Sequence, residues 1–214
     1  MQGRKNVGEG MAVRTFSFLL VTIGVYLLLW QTVMPRVSLP VYYYGRLIEL
    51  LGILLFIALA LFTPMRFEEM GIVTDGRTLR RSVGMGLGVL VLTLVGLFAA
   101  GSIRGTDPLF SLHVSGNISR ITYILVAPLQ EVLAKSVMYY SFERCLGRAH
   151  PWRIILLCAL VFGIFHVVYG IRMMLLSMLL TVLTGWMFRR ARCVWGCAIA
   201  HFALGFFPLC FGFA

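Results

Sequence analysis

From Phe16 to Met34 the chain carries no charged residue, and a run of that length is enough to cross a bilayer as an α-helix. Comparable apolar runs recur at Leu47–Thr63, Val83–Gly101, Ile121–Phe142, Ile154–Tyr169, Met173–Phe188 and Val194–Phe213. Composition agrees: 60% of the residues are hydrophobic and 13% charged, against roughly half and a quarter in a soluble domain. The expected fold is all-α, a polytopic transmembrane helical bundle of about seven spans forming one core. Only Gly170, Ile171 and Arg172 separate the fifth and sixth runs, which predicts a tight antiparallel hairpin.

The net charge of +11 suggests nucleic acid at first sight, but the basic residues lie between apolar runs instead of forming one patch. Alternate loops carry Arg4, Lys5, Arg14, Arg66, Arg77, Arg80, Arg81, Arg144, Arg148, Arg153, Arg189, Arg190 and Arg192, whereas the opposite side has Arg36, Arg46, Arg104, Arg120 and Arg172. The positive-inside rule therefore predicts a cytoplasmic N-terminus and an outward C-terminus. The partners expected are the lipid bilayer and a membrane-protein or lipopeptide substrate, with no nucleic acid. The site of action expected is a prokaryotic inner membrane. Five cysteines, Cys145, Cys158, Cys193, Cys197 and Cys210, show no extracellular pairing pattern and read as free thiols packed in helices. No cleavable signal is evident, and Met11 is a second candidate start.

Residues 1–15 read as a short polar tail, 16–120 as three accessory helices with loops, and 121–214 as a four-helix core. Glu49 is placed at the membrane boundary, and Glu68-Glu69 on a solvated loop. Gly84 and Gly88 stand in the G-x-x-x-G relation that lets helices approach closely. His113 reads as a loop histidine. The sequon at Asn117 has meaning only in a secreted eukaryotic context.

The fourth run holds the polar groups that matter. Glu131 and Lys135 lie four residues apart, on one helical face. Each costs about 2.5–3.5 kcal/mol to place in hydrocarbon, so an ionisable pair there implies a partner or a function. A structural ion pair accounts for these two alone. His166 in the fifth run and His201 in the seventh add two imidazoles on two further helices. Phe162 shares a face with His166, and Gly205 with His201.

A shielded carboxylate is a general base, and a neutral imidazole can hold a water or donate to a developing oxyanion. Equally, Glu131, His166 and His201 are ligands of the kind that hold a catalytic zinc with one open position. Sequence leaves both mechanisms open, so zinc is a possible cofactor. Cys193, Cys197 and His201 invite a second metal reading, but three turns of one helix spread them over about 12 Å, too far for one ion.

The motifs Gln130-Glu131-x-x-x-Lys135, Phe162-x-x-x-His166 and His201-x-x-x-Gly205, preceded by Ala127-Pro128, resemble those of the CPBP family of intramembrane proteases, which includes the CAAX-type prenyl endopeptidases. That family has Glu-Glu-x-x-x-Arg, Phe-x-x-x-His and His-x-x-x-Asn on successive core helices. The departures are Gln130, Lys135 and Gly205, so the position of the asparagine, which the family uses at the oxyanion, has no side chain here. A register starting from Pro128 instead makes Glu131 the first glutamate, with Ser136 at the arginine position. The resemblance implies an intramembrane endopeptidase with Glu131, His166 and His201 catalytic, and Gln130, Lys135, Phe162 and Gly205 supporting. Two other functions stay open: a silent relative that binds a membrane peptide in an immunity or escort role, and a small proton-coupled transporter.

Overall fold

The structure, a computed structural model, describes residues 2–37, 41–63, 66–105 and 118–210. His113, Asp107-Pro108, Asn117 and the end of the seventh run lie outside the described residues, as does Pro64. No strand occurs among the described residues, and the fold is a helical membrane bundle.

The helices are α1 (Gln2–Thr32), α2 (Val41–Phe62), α3 (Gly76–Ile103), α4 (Ile118–Glu131), α5 (Tyr140–Leu146), α6 (Pro151–Ile164), α7 (Ile171–Ala191) and α8 (Val194–Cys210). Val132–Tyr139 forms a π-helical segment between α4 and α5. Over the described residues the seven apolar runs fall mainly on helical structure. Among the described residues four stretches are long and apolar enough to cross a membrane: Val13–Thr32, Gly45–Phe62, Gly76–Ile103 and Ile171–Ala191. Large apolar side chains face outward there, with Leu92 on α3 73% exposed and Leu61 on α2 72% exposed, which is the surface a lipid-facing helix presents.

The structure adds detail to these readings and relocates the close glycine approach. Helix α1 begins at Gln2, so the polar residues 2–15 are helical and run into the first apolar stretch. Gly84 and Gly88 have nothing close to them. The close helix approach lies instead at Gly86 and Gly196, where a β-carbon on Gly196 would collide with the Ser82 backbone. Ser82 Oγ donates to the Cys193 carbonyl at 3.0 Å and accepts from the Gly196 amide at 3.1 Å, which fastens α3 to the start of α8. Glu49 is buried within the bundle. Glu69 pairs with Arg144 and so is tied down, while Glu68 stays exposed.

Helix α6 stops at Ile164, short of the span read from sequence. A 3-10 turn, Val167–Tyr169, and Gly170 at φ 96° then turn the chain into α7, giving the expected hairpin. His166 therefore sits past the end of a helix, not in its middle. The core gathers α1, α2, the π segment, α5, α6 and α7 around Leu59, Val137, Tyr139, Ile154, Ile155 and Phe188, all fully buried.

Candidate active site

Pro128 lies inside α4 and lacks the N–H that would reach the carbonyl one turn back, so the helix is weakened just before Glu131. The ladder then widens into the π segment directly after Glu131. Such widened turns are frequent at functional sites. The segment is anchored by Ser136, whose hydroxyl donates to the Met70 carbonyl at 2.9 Å.

Glu131 is fully enclosed and has three neighbours. His201 Nδ1 lies 2.9 Å from Oε1, across α8. Lys135 Nζ lies 3.3 Å from Oε2, with neither side chain exposed. Neither Lys135 Nζ nor Glu131 Oε2 has a hydrogen bond of normal geometry, so that contact is an electrostatic pair. Thr184 Oγ1 on α7 stands 3.5 Å from Oε1 but donates better to the Leu180 carbonyl at 3.0 Å. A carboxylate with an ammonium on one oxygen and an imidazole on the other is compensated in place, which a buried charge requires.

His166 joins this cluster through Phe162 rather than through Glu131. Its Nδ1 lies 2.8 Å from the Phe162 carbonyl, one of the acceptors left unpaired where α6 ends. The rings of Phe162 and His166 are 4.6 Å apart, and the Phe162 ring meets His201 edge-on at 5.9 Å. Gln130 turns the other way: its amide donates to Glu49 Oε1 at 3.0 Å, and Arg46 holds Glu49 Oε2 at 2.8 Å. Gly205 lies one turn beyond His201, and the Tyr123 hydroxyl rests against it. The Tyr123 ring also faces His201 edge-on at 6.1 Å.

Sequence reasoning therefore named Glu131, Lys135 and His201, which meet, and Phe162 and His166, which adjoin them. It missed Thr184, Tyr123 and the Glu49–Arg46 pair. Thr184 had a signal, since Ser177, Thr181 and Thr184 recur at helical spacing in an apolar run and all three are buried. Tyr123 had none.

Among the described residues no three His, Cys, Asp or Glu side chains gather as metal ligands. Lys135 Nζ holds the position beside Glu131 Oε2 that a cation would need, while the Nδ1 atoms of His166 and His201 face the Phe162 carbonyl and Glu131. Cys197 turns its thiol to the Thr184 carbonyl at 3.2 Å, as a packing residue does.

Beside this cluster α1, α2 and the π segment border an apolar cleft of about 50 Å³, lined by Leu19, Tyr26, Leu51, Leu133, Phe162 and Phe165 among others. Phe162 is its shared wall with the histidines.

Fold and site together define a polytopic membrane protein with an ionisable cluster sealed among its helices. Residues 117–207 match the protein-family model described as Type II CAAX prenyl endopeptidase Rce1-like. The matched segment, which is similar to a CPBP-type membrane-protease domain, contains Glu131, Lys135, His166, His201, Tyr123 and Gly205. No curated protein and no solved structure matches the chain.

Proposed function

We propose that this chain is an intramembrane endopeptidase that hydrolyses a peptide bond of a membrane-embedded or lipid-anchored segment, in a prokaryotic inner membrane. The observation that carries the reading is the 2.9 Å contact between Glu131 Oε1 and His201 Nδ1 inside a fully buried pair. As a carboxylate, Glu131 can only accept, so Nδ1 carries the hydrogen and Nε2 is the free lone pair. This moves the role of base from Glu131 itself to His201, with Glu131 fixing the tautomer and balancing the charge that His201 gains.

His201 Nε2 takes a proton from water as the water oxygen bonds to the scissile carbonyl carbon. The same proton then passes to the departing amine as the C–N bond breaks, which restores neutral His201. His166, with its Nδ1 hydrogen on Phe162, offers Nε2 as an acceptor that holds the water. The apolar cleft behind Phe162 suits an apolar stretch of substrate. No step needs a metal ion.

One observation favours a binding relative instead: Gln130 stands where the family has a glutamate, and its amide is spent on Glu49. The two readings separate on Glu131→Gln. Protein termini in membranes are compared between cells carrying wild type, Glu131→Gln, or no copy. Termini that need the wild type and vanish with Glu131→Gln establish the hydrolase. Identical termini, with a phenotype that survives the change, establish the binder.

A further inference from the structure

The hydrogens of the two histidines leave the site short of a donor. The Phe162 carbonyl only accepts, so His166 donates to it from Nδ1. His201 likewise donates from Nδ1 to Glu131. A neutral imidazole has one N–H, so both Nε2 atoms are acceptors. They suit a water and its proton, but neither can donate to a carbonyl oxygen as it gains negative charge. Hydrolysis needs such a donor, and in a site closed to bulk water it must be built in.

Lys135 does not reach substrate, because it is fully enclosed behind Glu131. Thr184 gives its hydrogen to Leu180. The remaining candidate lies on the other side of His201. The Tyr123 hydroxyl packs on Gly205, in space that any side chain at 205 would take, one helical turn from His201 on the same face. The Tyr123 ring is held edge-on to His201 and at 6.3 Å from Phe202, so the phenol is braced from α8. The side chain is half-buried, unlike Lys135. Its two neighbouring carboxylates, Glu131 and Glu49, each face a basic partner, Lys135 and Arg46.

We propose that the phenol of Tyr123 is the oxyanion donor of this site, supplied from α4 into the space that Gly205 leaves empty on α8. The proposal rests on the hydrolase reading. The phenol donates a hydrogen bond without transferring its proton, and the water proton still travels through His201.

The test follows the accumulation of wild-type-dependent termini in membranes after pulsed expression, normalised to the amount of inserted protein. Tyr123→Phe keeps the ring and its packing, and is expected to slow accumulation by about 10²–10³-fold, the usual loss for one oxyanion donor. Tyr123→Ala is slower still. Adding Gly205→Asn to Tyr123→Ala puts an amide donor into the vacated space and is expected to restore at least about tenfold. Adding Gly205→Ala fills space without a donor and restores nothing. A Tyr123→Phe rate within about threefold of wild type overturns the proposal while leaving the hydrolase intact. Equal recovery by Gly205→Ala and Gly205→Asn also overturns it, since packing then explains the effect. An absence of wild-type-dependent termini overturns the hydrolase reading, and this proposal with it.

Discussion

Lys135 Nζ and Glu131 Oε2 face each other across 3.3 Å with neither side chain exposed to solvent. Removing one member of such a pair leaves the other as an uncompensated buried charge. Lys135→Met is therefore expected to destabilise the protein by about 3–5 kcal/mol. The double variant Glu131→Gln/Lys135→Met removes both charges and is expected to recover most of that loss. Thermal unfolding in detergent micelles measures both. Additive losses in the double variant would show that the two groups are not coupled.

The same double variant separates stability from chemistry. It folds, but it has lost the carboxylate that fixes the His201 tautomer at 2.9 Å. Turnover is expected to fall by about 10⁴-fold, the loss seen when an orienting carboxylate is neutralised in a comparable relay. His201→Gln should fall at least as far, since it removes the base. Appearance rates of wild-type-dependent termini, taken on preparations of matched stability, give the comparison. A stable double variant with wild-type turnover would remove Glu131 from the mechanism.

The zinc alternative makes its own demand. Among the described residues no three His, Cys, Asp or Glu side chains gather as metal ligands, and Lys135 Nζ stands 3.3 Å from Glu131 Oε2, where a cation would have to sit. Purified protein is expected to hold less than stoichiometric zinc, and chelation is expected to leave turnover unchanged. Metal analysis paired with a chelator titration checks this. Inhibition by chelator that added zinc reverses would restore the metal mechanism.

How much of this was legible in the sequence depends on the range of each interaction. The spans were, because an apolar run long enough to cross a bilayer is a local property. So was the Glu131–Lys135 pair, since spacing along one helix decides it. His166 and His201 were recognisable as a set only because charge and imidazole are rare in such runs. The contacts of Gln130 with Glu49, 81 residues apart in the chain, are set by how α2 lies against α4, and no periodicity encodes that. The close glycine approach was misplaced for the same reason. A small-residue face says that helices can approach, while the partner helix decides which glycine is used. Gly205 read as a lost side chain, and only the three-dimensional arrangement shows a tyrosine from α4 standing there.

Those glycines give a direct comparison. A methyl group at Gly196 meets the Ser82 backbone, which cannot swing away as a side-chain tip can. Gly196→Ala is expected to cost about 1–3 kcal/mol through overpacking between α3 and α8. Gly84→Ala and Gly88→Ala have open space on helical backbone and are expected to gain about 0.5–1 kcal/mol from helix propensity. Thermal unfolding of the three variants side by side measures this. Equal sensitivity at 84 and 196 would contradict the helix packing described here.

The last expectation concerns the entry to α3, outside the membrane. Asp75 caps this helix: Oδ2 accepts from the Thr78 hydroxyl at 2.6 Å, and Oδ1 accepts from the Thr78 and Arg77 amides at 3.0 and 2.9 Å. The Thr78 hydroxyl first, and then these amides, hold the Asp75 carboxyl below its ordinary value of 3.8. A group whose pKa is depressed by folding stabilises the fold above its unfolded value. That contribution disappears as pH falls through the lower, folded value. The first turn of α3 is thus expected to be firm at neutral pH and to fray in acid below 3.8. Amide exchange at Arg77 and Thr78, compared with Asp75→Ala at the same pH, isolates the effect from intrinsic exchange. Protection relative to that variant should be large at about pH 6 and shrink toward none once the carboxyl is protonated. Asp75→Asn keeps an acceptor that does not titrate, so its protection should be the same at both pH values. A wild-type protein whose relative protection does not change with pH would show that the carboxylate does not hold this turn.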